Sequence, residues 1–266
     1  MFGITKNRSR SKPPLGSRII AGHPLAPDVA CLLMNEGAGL RVNNLCKPSI
    51  FQTTAGTIRS PGGVTFPTIT DYVSLGTDSS LRFPTTQVSI FFEHFKTDAT
   101  MRASAVFSIN TGTDADMCNA DVPYSDGTVY WDFGGTSGSG GGRISVPSLS
   151  FAQRNVWCFT SGPRAQEIWQ GHKLCASGSN ALTRTNVGMS CGINGGGLVN
   201  GDLVDIGFFY IYSRNLPKEA ILAIITNPYS FIEQPSSVRF FIPAAGTSFQ
   251  PVWARGSNQV IGSHVS

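Results

Sequence analysis

At 266 residues, the chain is long enough for one large β domain or two small ones. Hydrophobic residues make up 41% and charged residues only 14%, which supports a sizeable core and excludes global disorder. The net charge of +4 is concentrated: Lys6, Arg8, Arg10, Lys12 and Arg18 put five positive charges in the first eighteen residues, without an acid, and leave a near-neutral remainder. No apolar run reaches the roughly 18 residues of a membrane-crossing helix, and the basic N-terminus lacks the apolar segment of a secretory signal.

Thirty glycines and sixteen prolines, with short apolar runs between them, predict an all-β sandwich or barrel. Residues 1–27 read as an extended basic arm, because Ser11-Lys-Pro-Pro-Leu-Gly16 and His23-Pro-Leu-Ala-Pro27 have no periodicity. One domain follows over 28–235. Its strands are expected near 29–34, 72–75, 87–96, 104–109, 128–133, 143–146, 155–161, 164–169, 187–193 and 203–212. Turn signals at Ser125-Asp-Gly127 and Asn194-Gly-Gly-Gly197 separate some of these, and Gly134 to Gly142 reads as a flexible loop.

The last strand of the domain, Asp205 to Tyr212, is β-branched or aromatic after Gly207, so it should be covered on both faces. A short helix follows at the end of the sandwich, with Asn215 able to cap it and Pro217 in its first turn. Ala220, Ile221, Ile224 and Ile225 form its apolar stripe, and Asn227-Pro228 ends it. Residues 236–266 contain no acid and carry Phe240, Phe241, Phe249 and Trp253; they read as a C-terminal arm or, at Val238 to Ile242, an extra strand, with the aromatic set docking on a neighbour or packing on its own domain.

Catalytic patterns are missing. No E-x-D-x-(x)-E string places two carboxylates on one face of a strand, no G-x-S-x-G elbow is present, and no Walker motif occurs. The six cysteines form no C-x-x-C pair, so free buried thiols are the default and a disulfide framework the alternative. Asp114, Asp116, Asn119 and Asp121 gather four hard oxygen ligands in eight residues, a calcium candidate set against a solvated acidic loop. No other cofactor is suggested. Ser125 to Trp131 is similar to the Asp-box turn of sialidases with a different spacing, and a hairpin accounts for it better. Tyr130 and Trp131 point to opposite faces of their strand, so one of them could stack on a sugar. Asn194 and Asn200 belong to the loop 194–201, which, with 109–127 and 134–142, would form a glycan-binding end. The basic arm lacks interleaved aromatics, so nucleic acid is not an expected partner.

Four segments carry a family resemblance. Val29 to Gly39, Ser74-Leu-Gly76 with Phe83 and Val88 to Phe92, Trp157 with Glu167 to Gly171, and Asp205 to Ile221 together resemble laminin-G-like, concanavalin A-like jelly rolls in the family's order. The resemblance spans roughly 28–232 and implies a jelly-roll sandwich with one short C-terminal helix and extended terminal arms. Pro217 departs from it, standing where the family usually has a capping serine. Ser11 to Gly16, His23 to Leu25, Phe159 to Trp169, Asn227 to Tyr229 and Pro251 to Asn258 further resemble proteins of tailed bacteriophages. That likeness implies a non-enzymatic virion component such as a capsid decoration, head fibre or tail-associated subunit, assembled in the host cytoplasm. Its partners would be other virion proteins and copies of itself, with the two arms as anchors. A lectin-like adhesin for host surface glycan is the alternative, and a glycan-cleaving enzyme the third reading.

Overall fold

Short β-branched and aromatic runs punctuated by Gly, Pro and Asn give eighteen strands and two helices among the described residues. The computed structural model describes residues 12–235 except 37, 48, 55, 61, 110–115, 136–141, 148–150, 152, 180–181 and 196–200, and the backbone alone of 49, 50, 59 and 60. Every described element lies in the compact unit Met1–Pro235. Strands β1 (Arg18–Ile19), β2 (Ala30–Leu32), β3 (Arg41–Asn44), β4 (Ser49–Thr53), β5 (Ile58–Ser60), β6 (Gly63–Phe66) and β7 (Val73–Thr77) precede the one-turn helix α1 (Asp78–Leu81). Then come β8 (Val88–Lys96), β9 (Phe107–Ile109), β10 (Cys118–Asp121), β11 (Val129–Phe133), β12 (Arg143–Val146) and β13 (Asn155–Ser161). The chain continues through β14 (Gln166–Gln170), β15 (Lys173–Gly178), β16 (Ser190–Ile193), β17 (Val204–Tyr212), helix α2 (Lys218–Thr226) and β18 (Ile232–Glu233).

The strands build a jelly-roll sandwich of two antiparallel sheets. The first runs β12-β11-β10-β9-β16-β7-β4-β3, the second β15-β14-β13-β8-β17-β6-β5 with β2 also pairing β17, and β1 with β18 makes a separate ribbon. All ten expected strands are present. The segments that became β1, β3 to β6, β10, β15 and β18 were not anticipated as strands. Between the sheets, Phe107 meets Phe209 at a ring-centroid distance of 5.6 Å and Trp131 meets Phe159 at 5.5 Å. Trp131 also ties the sheets polarly, its Nε1 donating to Thr160 O at 2.9 Å and Ser161 Oγ at 2.8 Å.

A second core lies on the outside of the second sheet. Because side chains alternate along a strand, Phe208, Tyr210 and Tyr212 point away from the sheet face that carries Phe209 and Ile211. All five are fully buried. Ile221 and Ile224 of α2, with Phe231 and Ile232, cover the outward set together with Phe91, Cys158 and Trp169. Helix α2 therefore lies over this sheet face, a correction to its expected place at the end of the sandwich. Its N-cap is Pro217, which makes no side-chain cap bond, and Asn215 instead donates Nδ2 to Ala165 O at 2.7 Å. At the other end Asn227, at φ −142° and ψ 84°, has left the α region, which proline at the next position disfavours.

Residues 12–27, read from the sequence as part of an extended arm, run against the domain. Ile19, Leu25 and Ala26 pack on the second core, and β1 pairs β18 with Arg18 opposite Glu233, an exposed ion pair of 2.8 Å. Lys12 Nζ donates to Met34 O at 3.1 Å and to Gly207 O. Tyr212 OH donates to Leu25 O at 2.9 Å, and Arg214 donates to Pro24 O and Ala26 O. The physical reason is that these carbonyls and apolar side chains satisfy and cover a sheet face that water cannot serve. A boundary at residue 27 thus divides no unit among the described residues. Lys6, Arg8, Arg10, Phe240, Phe241, Phe249 and Trp253 lie outside them.

Double burial has a measurable consequence. Phe208→Ala and Phe209→Ala should each cost about 3–5 kcal/mol in urea unfolding, although the two rings sit on opposite faces of β17. A cost below about 0.5 kcal/mol for Phe208→Ala would mean that the outer face is solvated.

Candidate functional site

The outward face of the first sheet is built differently. Its ladder aligns Arg41, Gln52, Ser74, Gly192, Ser108, Asn119, Asp132 and Arg143 in one cross-strand row over all eight strands. Every member is polar or glycine, whereas Val42, Val73, Ile193, Phe107, Ala120 and Trp131, from the same strands, enter the core. Alternation thus sorts the strands into an apolar inside and a polar outside. Arg41 and Gln52 are exposed, while Ser108, Asn119 and Asp132 are buried.

At the β12 end of this face the β10–β11 hairpin makes a compact aromatic and charged cluster. Its turn is tight: Tyr124 N donates to Thr128 O at 2.8 Å, Asp126 Oδ1 accepts from Thr128 N at 2.8 Å, and Gly127 supplies the positive φ of 80°. Tyr124 is 37% exposed and meets Tyr130 edge-on, with ring centroids 5.7 Å apart. Tyr130 OH donates to Asp126 Oδ2 at 2.6 Å, which raises the phenol and lowers the carboxyl from their ordinary values. Arg143 lies over the Tyr130 ring, Cζ 4.4 Å from its centroid. The same guanidinium grips buried Asp132 with Nε–Oδ1 at 2.6 Å and NH2–Oδ2 at 2.7 Å, a fork-on-fork pair that raises Arg143 further. Beside it, Asp121 is only 5% exposed. Burial pushes its carboxyl well above the usual range and neighbouring Asp132 adds to the shift, more than Arg143 offsets.

Of the described residues singled out from the sequence as glycan contacts, Tyr130 belongs to a surface cluster. Trp131 points inward and is fully buried, so its assignment to sugar binding is corrected: the indole spans the two sheets. Asn194 is likewise structural, 1% exposed at a φ of 59°. Its Nδ2 donates to Asp71 O and Asp202 O, while its Oδ1 accepts from Asp202 N. Asn200 and Asp114 lie outside the described residues. The three described members of the calcium set, Asp116, Asn119 and Asp121, are not gathered. Asp116 accepts from Thr185 N at 2.7 Å through Oδ1, and Asn119 and Asp121 stand along β10, where a strand spaces side chains by about 3.3 Å per residue instead of collecting them. Among the described residues no three of His, Cys, Asp or Glu are placed to hold a metal ion. Tyr124, Asp126 and Arg143 were missed, although two tyrosines flanking a Ser-Asp-Gly turn were the available signal.

Other charged groups serve the scaffold. Buried Lys96 and Asp202 pair, Arg102 bridges Asp202 Oδ1 at 2.6 Å, and Asp98 binds both cations. Asp78 pairs with Arg184 at 3.0 Å, both side chains fully buried, and its carboxylate accepts from the backbone of 187–189.

No protein-family model matches the sequence, and no curated protein matches it. Solved structures do resemble the fold. A sialidase of Trypanosoma rangeli aligns at 12% identity over 76% of this chain and 33% of its own, TM-score 0.58. The same sialidase in complex with sialic acid aligns at 11% over 79% and 35%, TM-score 0.59. An HCR/D mutant aligns at 12% identity over 76% of this chain and 51% of its own, TM-score 0.56. Botulinum neurotoxin type C, described with two ganglioside molecules in cell entry, aligns at 10% over 73% and 51%, TM-score 0.50. The chain spans about a third of the sialidases and half of the other two. At these identities the likeness is one of fold.

The Asp121 site sets a pH dependence. Its folded pKa is raised above the ordinary 3.8, so its contribution is fully present below that value and is lost as pH rises through the folded pKa. Asp121→Asn, which cannot ionise, should therefore unfold at a higher temperature than the native chain at pH 7 and match it at pH 3. The gap should be roughly 2–4 °C for each kcal/mol relieved. Equal melting temperatures at pH 7 would contradict the shifted carboxyl.

Proposed function

We propose that this chain is a non-catalytic, lectin-like glycan-binding module, with Tyr124, Tyr130, Asp126 and Arg143 as its sugar-contacting cluster. The observation that carries the reading is an exposed tyrosine ring held rigidly against a hydroxyl–carboxylate pair and a guanidinium. Rings offer a flat apolar face to the C–H side of a sugar, and the polar groups meet its hydroxyls. Turn hydrogen bonds hold the cluster in place before any ligand arrives, which lowers the ordering cost of binding. Sialidases and a ganglioside-associated toxin among the structures of similar fold support a glycan as ligand class.

The setting we propose is the particle of a tailed phage, with the module on its surface and other virion proteins and further copies of the chain as partners. The phage-like sequence stretches support this setting. Because residues 12–27 pack on their own domain, anchoring is assigned to residues 1–11 and 236–266.

On a glycan array the chain should give reproducible binding, and Tyr124→Ala should weaken it about tenfold or more, the loss typical of a central aromatic contact. Surface truncation there should alter folding stability by less than about 0.5 kcal/mol. An array with no signal, or one unchanged by Tyr124→Ala with Tyr130→Ala, would overturn the reading. Immunogold labelling of purified particles tests the setting: bound antibody is expected, and antigen found solely in the particle-free lysate would contradict it.

A further inference from the structure

At the other end of the same sheet, β4 and β7 are hydrogen-bonded only at Gln52–Ser74 and Thr53–Val73. Beyond Ser74 the two strands separate, because β7 runs into α1, whose first residue Asp78 is held by Arg184 and the 187–189 backbone. The split opens a cleft of about 410 Å³ between β4, β7, α1 and the turn at 45–47. That volume is within the roughly 300–1,000 Å³ of small-molecule sites. Core residues Phe51, Leu75 and Leu81 form an apolar floor, and Gln52, Ser74 and Lys47 stand at its polar rim. Lys47 is half-buried, and among the described residues its ammonium meets only Leu81 O, at 3.5 Å. No carboxylate among the described residues pairs with it. Arg41, across from Gln52 in the β3–β4 register, adds to the positive field.

We infer that this cleft is a second binding site, for an acidic monosaccharide such as a uronic or sialic acid. A half-buried cation without a counter-ion is best satisfied by a ligand carboxylate. The apolar floor suits the C–H face of a pyranose ring, while Gln52 and Ser74 can exchange hydrogen bonds with its hydroxyls. A bare inorganic anion would leave the floor uncovered. The site shares no residue with the Tyr124–Tyr130 cluster, so either can fail without the other.

Calorimetric titration of the full chain with sodium glucuronate and with N-acetylneuraminate, against glucose and acetate, tests the assignment. At least one acid sugar should bind with millimolar or tighter affinity, and the two arms show which. Glucose and acetate should bind about tenfold more weakly or not at all. Lys47→Gln should weaken the acid sugar by about tenfold, the scale of one charge-assisted hydrogen bond, whereas Lys47→Arg and Tyr124→Ala should leave it near the native value. Absence of binding by both acids, acetate binding as tightly as the sugar, an unaffected Lys47→Gln, or loss in Tyr124→Ala would each overturn it.

Discussion

The rest of the structure depends on burial of β17 from both sides. Phe208, Phe209, Tyr210, Ile211 and Tyr212 leave neither face of the strand tolerant of water. Each such side chain contributes about 1.5–3 kcal/mol when fully buried. The first sheet covers the inner set. The outer set needs a second cover, which α2, the β1–β18 ribbon and residues 19–26 provide. What looks like a flexible N-terminal segment is thereby committed to the scaffold.

This asymmetry assigns the two outer faces different work. The second sheet is roofed, and its flank tolerates close approach only where side chains are absent. At Gly207, beside the β8–β17 register shift, an added Cβ would fall 1.8 Å from Glu93 Oε2, so a side chain there would displace the Glu93 carboxylate. The first sheet keeps its polar row outward. Both proposed ligand sites lie on that sheet, at opposite ends, where strands turn or part.

Strands with continuous apolar or aromatic runs, such as β8, β13 and β17, were legible in the sequence because burial on two faces erases polar interruptions. β10 was not. Cys118 and Ala120 face inward while Asn119 and Asp121 face outward, and the density of acids there read as an acidic loop, with calcium binding as the alternative. β3 and β15 are edge strands whose polar composition resembles a loop. The site was legible only at Tyr130. Trp131 and Asn194 have the chemistry of ligand contacts, but tertiary packing turned one into a bridge between sheets and the other into a backbone clamp. Cross-strand register created the Tyr130–Arg143 stack and the β4–β7 split, and no local pattern encodes either.

The outer face of the second sheet is sealed by apolar cover, whereas the hairpin cluster at the β12 end of the first is exposed, and hydroxyl-radical footprinting of the folded chain reads that difference directly. Tyr124 and Tyr130 should be oxidised readily, while Trp169, Phe208 and Tyr210 stay protected until the chain is unfolded. Oxidation of Trp169 and Tyr210 at the rate of Tyr124 in the folded chain would contradict the sealed second sheet and the assignment of binding to the first.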